Sequence, residues 1–219
     1  MSGMISDNNL LVKLISYFKG LYNRNKTILV ISIVIYFASL FVGIMVGYFL
    51  LGFTRNFLAY LARETNVELT TLSLFMHNLQ AVFLSYFGGL IIIIPAVALA
   101  FNGFIYGAFI GFLLHGGISS NYGVLTDGDF IIYTLPHGIL EIPGFIIAGT
   151  AGFRLSTLVL GVLKSIIKET SITVHYWKLE DSFALLIIAV ILIFIAAIIE
   201  ANITVSLGNY ITGLHLPIH

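Results

Sequence analysis

The chain reads as an all-α, polytopic helical membrane protein with about five transmembrane spans and one interfacial amphipathic helix. Three observations predict this. First, the 219 residues are 59% hydrophobic and only 9% charged, with a mean hydropathy of +1.05, whereas soluble domains are roughly 25% charged. Second, the apolar residues come in runs of about twenty or more, the length a helix needs to cross roughly 30 Å of hydrocarbon. Third, the basic residues gather mainly in two segments, 13–26 and 154–178, which should share the cytoplasmic side. Net charge is zero, so nothing favours nucleic acid as a partner; the bilayer is the implied one. The absence of cysteine excludes disulfides and thiolate metal sites. Six histidines and ten acids remain as the ligand stock.

Residues 1–26 form a polar, mildly amphipathic N-terminal tail, expected in the cytoplasm, with Lys13, Lys19, Arg24 and Lys26 against the single acid Asp7. A single helical membrane domain then covers 27–219. Its first span, 27–53, is long enough to cross with some tilt. There Ser39, Gly43 and Gly47 make a small-residue stripe suited to close helix contact. Residues 54–71, with two bases and two acids, read as a loop. The following 72–114 contain no Lys, Arg, Asp or Glu. One helix of that length would reach about 64 Å, so two spans are predicted, with a turn near 95–102, unless the pair is re-entrant. The third span carries Gly103, Gly107 and Gly111, followed by His115, at four-residue spacing.

A polar loop, 116–130, leads to the fourth span around 135–155, written LPHGILEIPGFIIAGTAGFRL. Pro136 suits a first turn, where its missing N–H is harmless. Pro143 frees the carbonyl of Ile139 and predicts a kink. Gly144, Ala148 and Gly152 recur every fourth residue, and the stripe is expected to meet Gly103, Gly107 and Gly111 of the third span. Arg154 ends the run as an interfacial anchor reaching the headgroups. Residues 156–178 carry Lys164, Lys168 and Lys178 opposite an apolar face and are expected to lie along the membrane surface. A final run, 182–207, is interrupted by Glu200. The orientation that fits the bases puts the N-terminus in the cytoplasm and the C-terminus outside the cell membrane.

That topology gathers the unusual residues toward one leaflet. His77 begins the second span and His115 ends the third. His137 and Glu141 begin the fourth, one helical turn apart on one face. Glu200 lies near the end of the fifth. No Lys or Arg occurs between Arg63 and Arg154, or after Lys178. A carboxylate in low dielectric without a base must be protonated, meet an imidazolium, bind a cation or face water. His137, Glu141 and Glu200 are therefore predicted to form one cluster, with His77 as the next candidate member. Two carboxylates with imidazole can make a shell for a divalent metal such as zinc. A proton-carrying Glu–His pair and a hydrogen-bonded cluster that only holds helices together stand as alternatives. HGxxE is not the HExxH of metalloproteases. His175, His215 and His219 read as surface residues, and Asn102 as a helix cap or interhelical hydrogen bond in the inner turn.

The segments NGFIYGAFIG, LPHGILEIPGFIIAGTAGFRL and AAIIEANIT resemble the stage II sporulation protein M family of integral membrane proteins, over roughly residues 75–205. The resemblance implies that Asn78, Asn102, Gly103, His137, Gly138, Glu141, Gly152, Arg154 and Glu200 are family motif positions. In spore-formers the family member works in an engulfment complex with peptidoglycan-cleaving partners; what the resemblance carries over to this chain is the membrane family and the motif positions. Two functional classes follow. One is a non-enzymatic membrane component that acts with protein partners or as a homo-oligomer, its polar cluster holding the bundle or sensing an ion. The other is an ion- or metal-dependent transporter or intramembrane hydrolase that uses the cluster. No nucleophile motif, phosphate loop or cofactor fingerprint supports catalysis. No stretch would make a large soluble domain, which argues against cell-wall cleavage by this chain itself.

Overall fold

A computed structural model describes residues 2–64, 68–115, 118–120, 123–125 and 127–213. His215 and His219 lie outside them. Helix α1 (Ser2–Phe49) is followed by α2 (Leu51–Glu64), α3 (Thr71–Phe87), a 3-10 turn (Gly88–Ile91) and α4 (Ile94–Leu113). A short antiparallel hairpin, β1 (Ile118–Ser120) with β2 (Gly123–Leu125), leads into α5 (Asp127–Ile167). A second 3-10 turn (Ile172–His175), α6 (Tyr176–Ile199), a π-turn (Glu200–Thr204) and α7 (Val205–Thr212) complete the described chain. Five of the described helical stretches are long and apolar enough to cross a membrane: Leu10–Phe49, Thr71–Ile91, Ile94–Leu113, Ile131–Ile167 and Ile172–Thr212. The protein is a helical, multi-pass membrane protein.

Small residues decide which helices meet. A Cβ on Gly103 would overlap the Tyr36 carbonyl, one on Gly107 that of Leu40, and one on Gly111 that of Ile44. Reciprocally, Gly43 and Gly47 lie on the backbones of Phe104 and Ala108. Rising numbers face rising numbers, so α1 and α4 run parallel. The glycine stripe of α4 thus docks on the first span, which corrects the expected contact with Gly144, Ala148 and Gly152. The reason is mutual: Ser39, Gly43 and Gly47 let both backbones approach, so the two flattest faces find each other. The α5 stripe is divided among other partners. Gly144 lies under Ile193 of α6, and Gly152 against the Ser85 carbonyl of α3 and Pro95 of α4. Ala148 is enclosed in the main core with Val82, Phe145, Leu186, Ala189 and Ile193. The paired positions Ser85–Gly152 and Gly89–Ser156 make α3 and α5 parallel. Ser182–Ala151 and His137–Thr204 make α5 and α6 antiparallel.

Several boundaries depart from the sequence expectations. Residues 54–64 are helical, not a loop, and Phe57 of α2 meets Phe104 of α4 edge to face, 6.1 Å between ring centres. The turn between the second and third spans falls at 88–93, because Pro95 occupies the first turn of α4, where proline is tolerated. Asn102 is therefore inside α4, donating to the Ala98 carbonyl at 2.9 Å, rather than in that turn. Helix α5 begins at Asp127, so Pro136 as well as Pro143 lies inside it. The same helix continues through 156–167 instead of releasing a separate surface helix. It stops where Glu169 takes a left-handed conformation (φ 52) and Thr170 N–H closes onto the Ser165 carbonyl at 2.9 Å, a Schellman-type end.

Candidate functional site

One end of the bundle holds the predicted cluster. His137 and Glu141 occupy successive turns of α5, with His137 Nε2 and Glu141 Oε2 3.6 Å apart. Glu200 enters from the π-turn that extends α6, and one donor atom from each of the three lies within 4.8 Å of the others. His137 and Glu141 are buried and Glu200 is half-buried. The wide turn at Glu200–Thr204 matters locally, since π-turns recur where a helix must re-aim side chains at a functional position. Tyr106 of α4 donates its hydroxyl to Glu141 Oε2 at 3.0 Å. Thr204, four residues after Glu200, places Oγ1 3.3 Å from His137 Nδ1 and donates to the Ile199 carbonyl.

One arrangement of hydrogens satisfies both contacts of Thr204. With the Thr204 hydrogen directed to Ile199, its lone pair accepts Nδ1–H, and Nε2 is left to present a lone pair toward the carboxylates. A lone pair facing carboxylate oxygens is repulsive unless a proton or a cation lies between them. A metal-ligating histidine usually has its other ring nitrogen held in the same way, by a hydrogen-bond acceptor that fixes the ring. A tetrahedral zinc with bonds of about 2.0–2.1 Å holds its donors roughly 3.4 Å apart. The His137–Glu141 pair, at 3.6 Å, is close to that spacing, and the widest separation among the three donors, at most 4.8 Å, exceeds it by about 1.4 Å, within reach of side-chain rotation. Arg154, the next base on α5, is thirteen positions beyond Glu141, about 20 Å along the helix. It cannot neutralise the site.

The other predicted residues lie elsewhere. His77 is exposed and is not brought to the three donors. With Asn78, Gln80 and Asn102 it lines a cleft of about 410 Å³ bounded by Leu61 and Phe145. His115 is tied to the end of α1 through the Tyr48 carbonyl at 2.6 Å. His175 is hydrogen-bonded to Ser165 at 3.1 Å and covers Gly161. Gly138 is buried beside the cluster.

Arg154 is the clearest departure. It is 5% exposed, not reaching for headgroups. Its Nε donates to Asn25 Oδ1 at 2.5 Å, Nη2 donates to the Arg24 carbonyl, and the guanidinium lies 5.1 Å over the Trp177 ring. Asn25 donates in turn to Asp181 at 2.9 Å, which takes Arg24 at 2.6 Å. This knot ties the extension of α1 to α5 and α6 at the end opposite the cluster. Sequence reasoning missed Asp181 and Asn25, along with Tyr106 and Thr204 of the cluster. Thr204 had a signal, since it lies one turn beyond Glu200. Asp181, the last acid before the final apolar run, had another.

Comparison with known proteins agrees with the motif reading. The sequence profile described as Stage II sporulation protein M matches residues 37–205. An uncharacterized protein of Methanocaldococcus jannaschii is 33% identical over 150 residues, covering 67% of this chain and 77% of that protein. A second uncharacterized protein of the same organism is 35% identical over 81 residues, 37% of each chain. No solved structure matches.

Proposed function

This chain belongs to the stage II sporulation protein M family, and from that premise we propose that it is a non-enzymatic membrane component whose His137–Glu141–Glu200 cluster binds a divalent cation such as zinc. The observation that carries this reading is the convergence of three donors from two helical elements within 4.8 Å of one another, with no Lys or Arg ion pair to them among the described residues. In hydrocarbon, two carboxylates and an imidazole nitrogen hold together only around positive charge. The cation joins the middle of α5 to the end of α6 and braces one end of the bundle. Five candidate spans make up most of the described chain, and it acts through membrane-embedded protein partners. The cluster faces the outer leaflet, with the N-terminus in the cytoplasm and the C-terminus outside.

Elemental analysis of protein purified without chelator tests this. The wild-type chain is expected to carry about one divalent metal, lost in both Glu141→Gln and Glu200→Gln and retained in His77→Ala. Binding should weaken as pH falls, because protons compete for the same imidazole and carboxylates. A folded wild-type protein that neither contains nor takes up metal would overturn the reading and leave a proton-sharing or purely hydrogen-bonded cluster.

A further inference from the structure

Tyr36 of α1 is wholly enclosed, 0% exposed, yet its hydroxyl has no hydrogen-bond partner among the described residues. Buried hydroxyls are rarely left this way, and an orphan commonly marks an unseen water or ligand. The ring packs with Leu99 of α4 and with Ile142 and Ile146 of α5. Ile142 is the residue after Glu141, and Gly103, whose added Cβ would meet the Tyr36 carbonyl, lies one turn before Tyr106 on α4. The Tyr106 hydroxyl is already engaged with Glu141 Oε2; the Tyr36 hydroxyl has no such partner among the described residues.

The cluster has a deficit of its own. It offers one imidazole and two carboxylates, and no fourth His, Cys, Asp or Glu joins it among the described residues. Four protein ligands make a closed structural zinc site, whereas three leave a position that water or another small ligand fills. A single oxygen ligand on the cation, lying toward α1, satisfies both the open position and the orphaned phenol.

We propose that the cation at His137, Glu141 and Glu200 carries an exchangeable oxygen ligand, water at rest, held by a hydrogen bond from Tyr36, and that a small oxygen donor of the carboxylate or hydroxamate class can displace it. This rests on the cation reading above. It makes Tyr36 a positioning residue for the ligand and Tyr106 one for Glu141, and it makes the site open, where a bracing role alone would permit a sealed one.

The test uses the full-length protein in detergent, loaded with Co(II), whose visible spectrum reports coordination. Acetohydroxamate is the probe. The wild-type spectrum should change saturably on titration. Tyr36→Phe should still bind one cobalt per chain but hold acetohydroxamate about tenfold more weakly, the size of one lost hydrogen bond. Cobalt binding with no response to acetohydroxamate in the wild type overturns the open position while leaving the cation reading intact. Equal affinities in wild type and Tyr36→Phe overturn the assignment of Tyr36. Failure of the wild type to bind cobalt sinks the cation reading itself. If Tyr36→Phe does not fold, the wild-type titration alone still decides whether the position is open.

Discussion

Replacing Asp181 by Asn keeps its shape and removes the one carboxylate of the knot that holds Arg24, Asn25 and Arg154. Asp181 is 1% exposed, but the side chain of Arg24 is 43% exposed, so part of the lost attraction is screened by solvent. The expected loss lies between the surface-pair and buried-pair limits, roughly 1–3 kcal/mol. It would be read as a lower melting temperature in detergent. Arg154→Lys should also destabilise, since one ammonium cannot donate to Asn25 and the Arg24 carbonyl while lying flat on Trp177. If both variants melt with the wild type, the knot is ornamental. At this scale the sequence was legible only where partners are neighbours. His137 and Glu141 share a helical face by spacing alone, and Glu200 joined them through topology and the lack of bases. Arg24 and Asp181 are 157 positions apart, and no spacing rule reaches that far. Arg154 was misplaced for the same reason: an arginine closing an apolar run normally snorkels, and only the fold supplies Asn25 and Trp177 to keep it inside.

Among elements, the contact between α1 and α4 depends on missing side chains. Gly107→Leu must push the two backbones apart and should lower stability by about 1–3 kcal/mol through overpacking. Gly52→Leu, at a position where an added Cβ meets nothing within 4 Å, serves as the control and should have little effect. Equal melting of the two variants would mean that α1 does not dock on the glycine stripe. The stripes themselves were visible in the sequence, but their partners were not, because three small-residue faces at four-residue spacing fit one another interchangeably on paper. Steric complementarity along whole helices chose among them. Helix α2 was hidden for a different reason. Two bases and two acids in a short interval resemble a loop, yet 51–64 are helical and set Phe57 against Phe104 of α4.

At the scale of the whole molecule, the contacts that close the bundle decide which basic segments share an end. Arg24 reaches Asp181, and Lys178 donates to the Thr157 carbonyl at 3.0 Å. The bases of the N-terminal extension and of 154–178 therefore lie at the same end. The opposite end carries the cluster, the hairpin and α7, and Arg55 is the only Lys or Arg among the described side chains there. Had the fold separated the two basic segments, the charge argument for orientation would have collapsed; with them together, the proposal that this end faces the cytoplasm is open to a direct test. Single cysteines replacing Ser120 in β1 or Thr212 at the end of α7 should then react with an impermeant maleimide added to intact cells. A cysteine replacing Lys168, beyond the basic end of α5, should react only after permeabilisation. The reverse pattern would invert the molecule, turn His137, Glu141 and Glu200 toward the cytoplasm and require any cation there to come from the cell interior. Metal content measured after an external chelator wash of intact cells would show the same inversion independently of the cysteine labels.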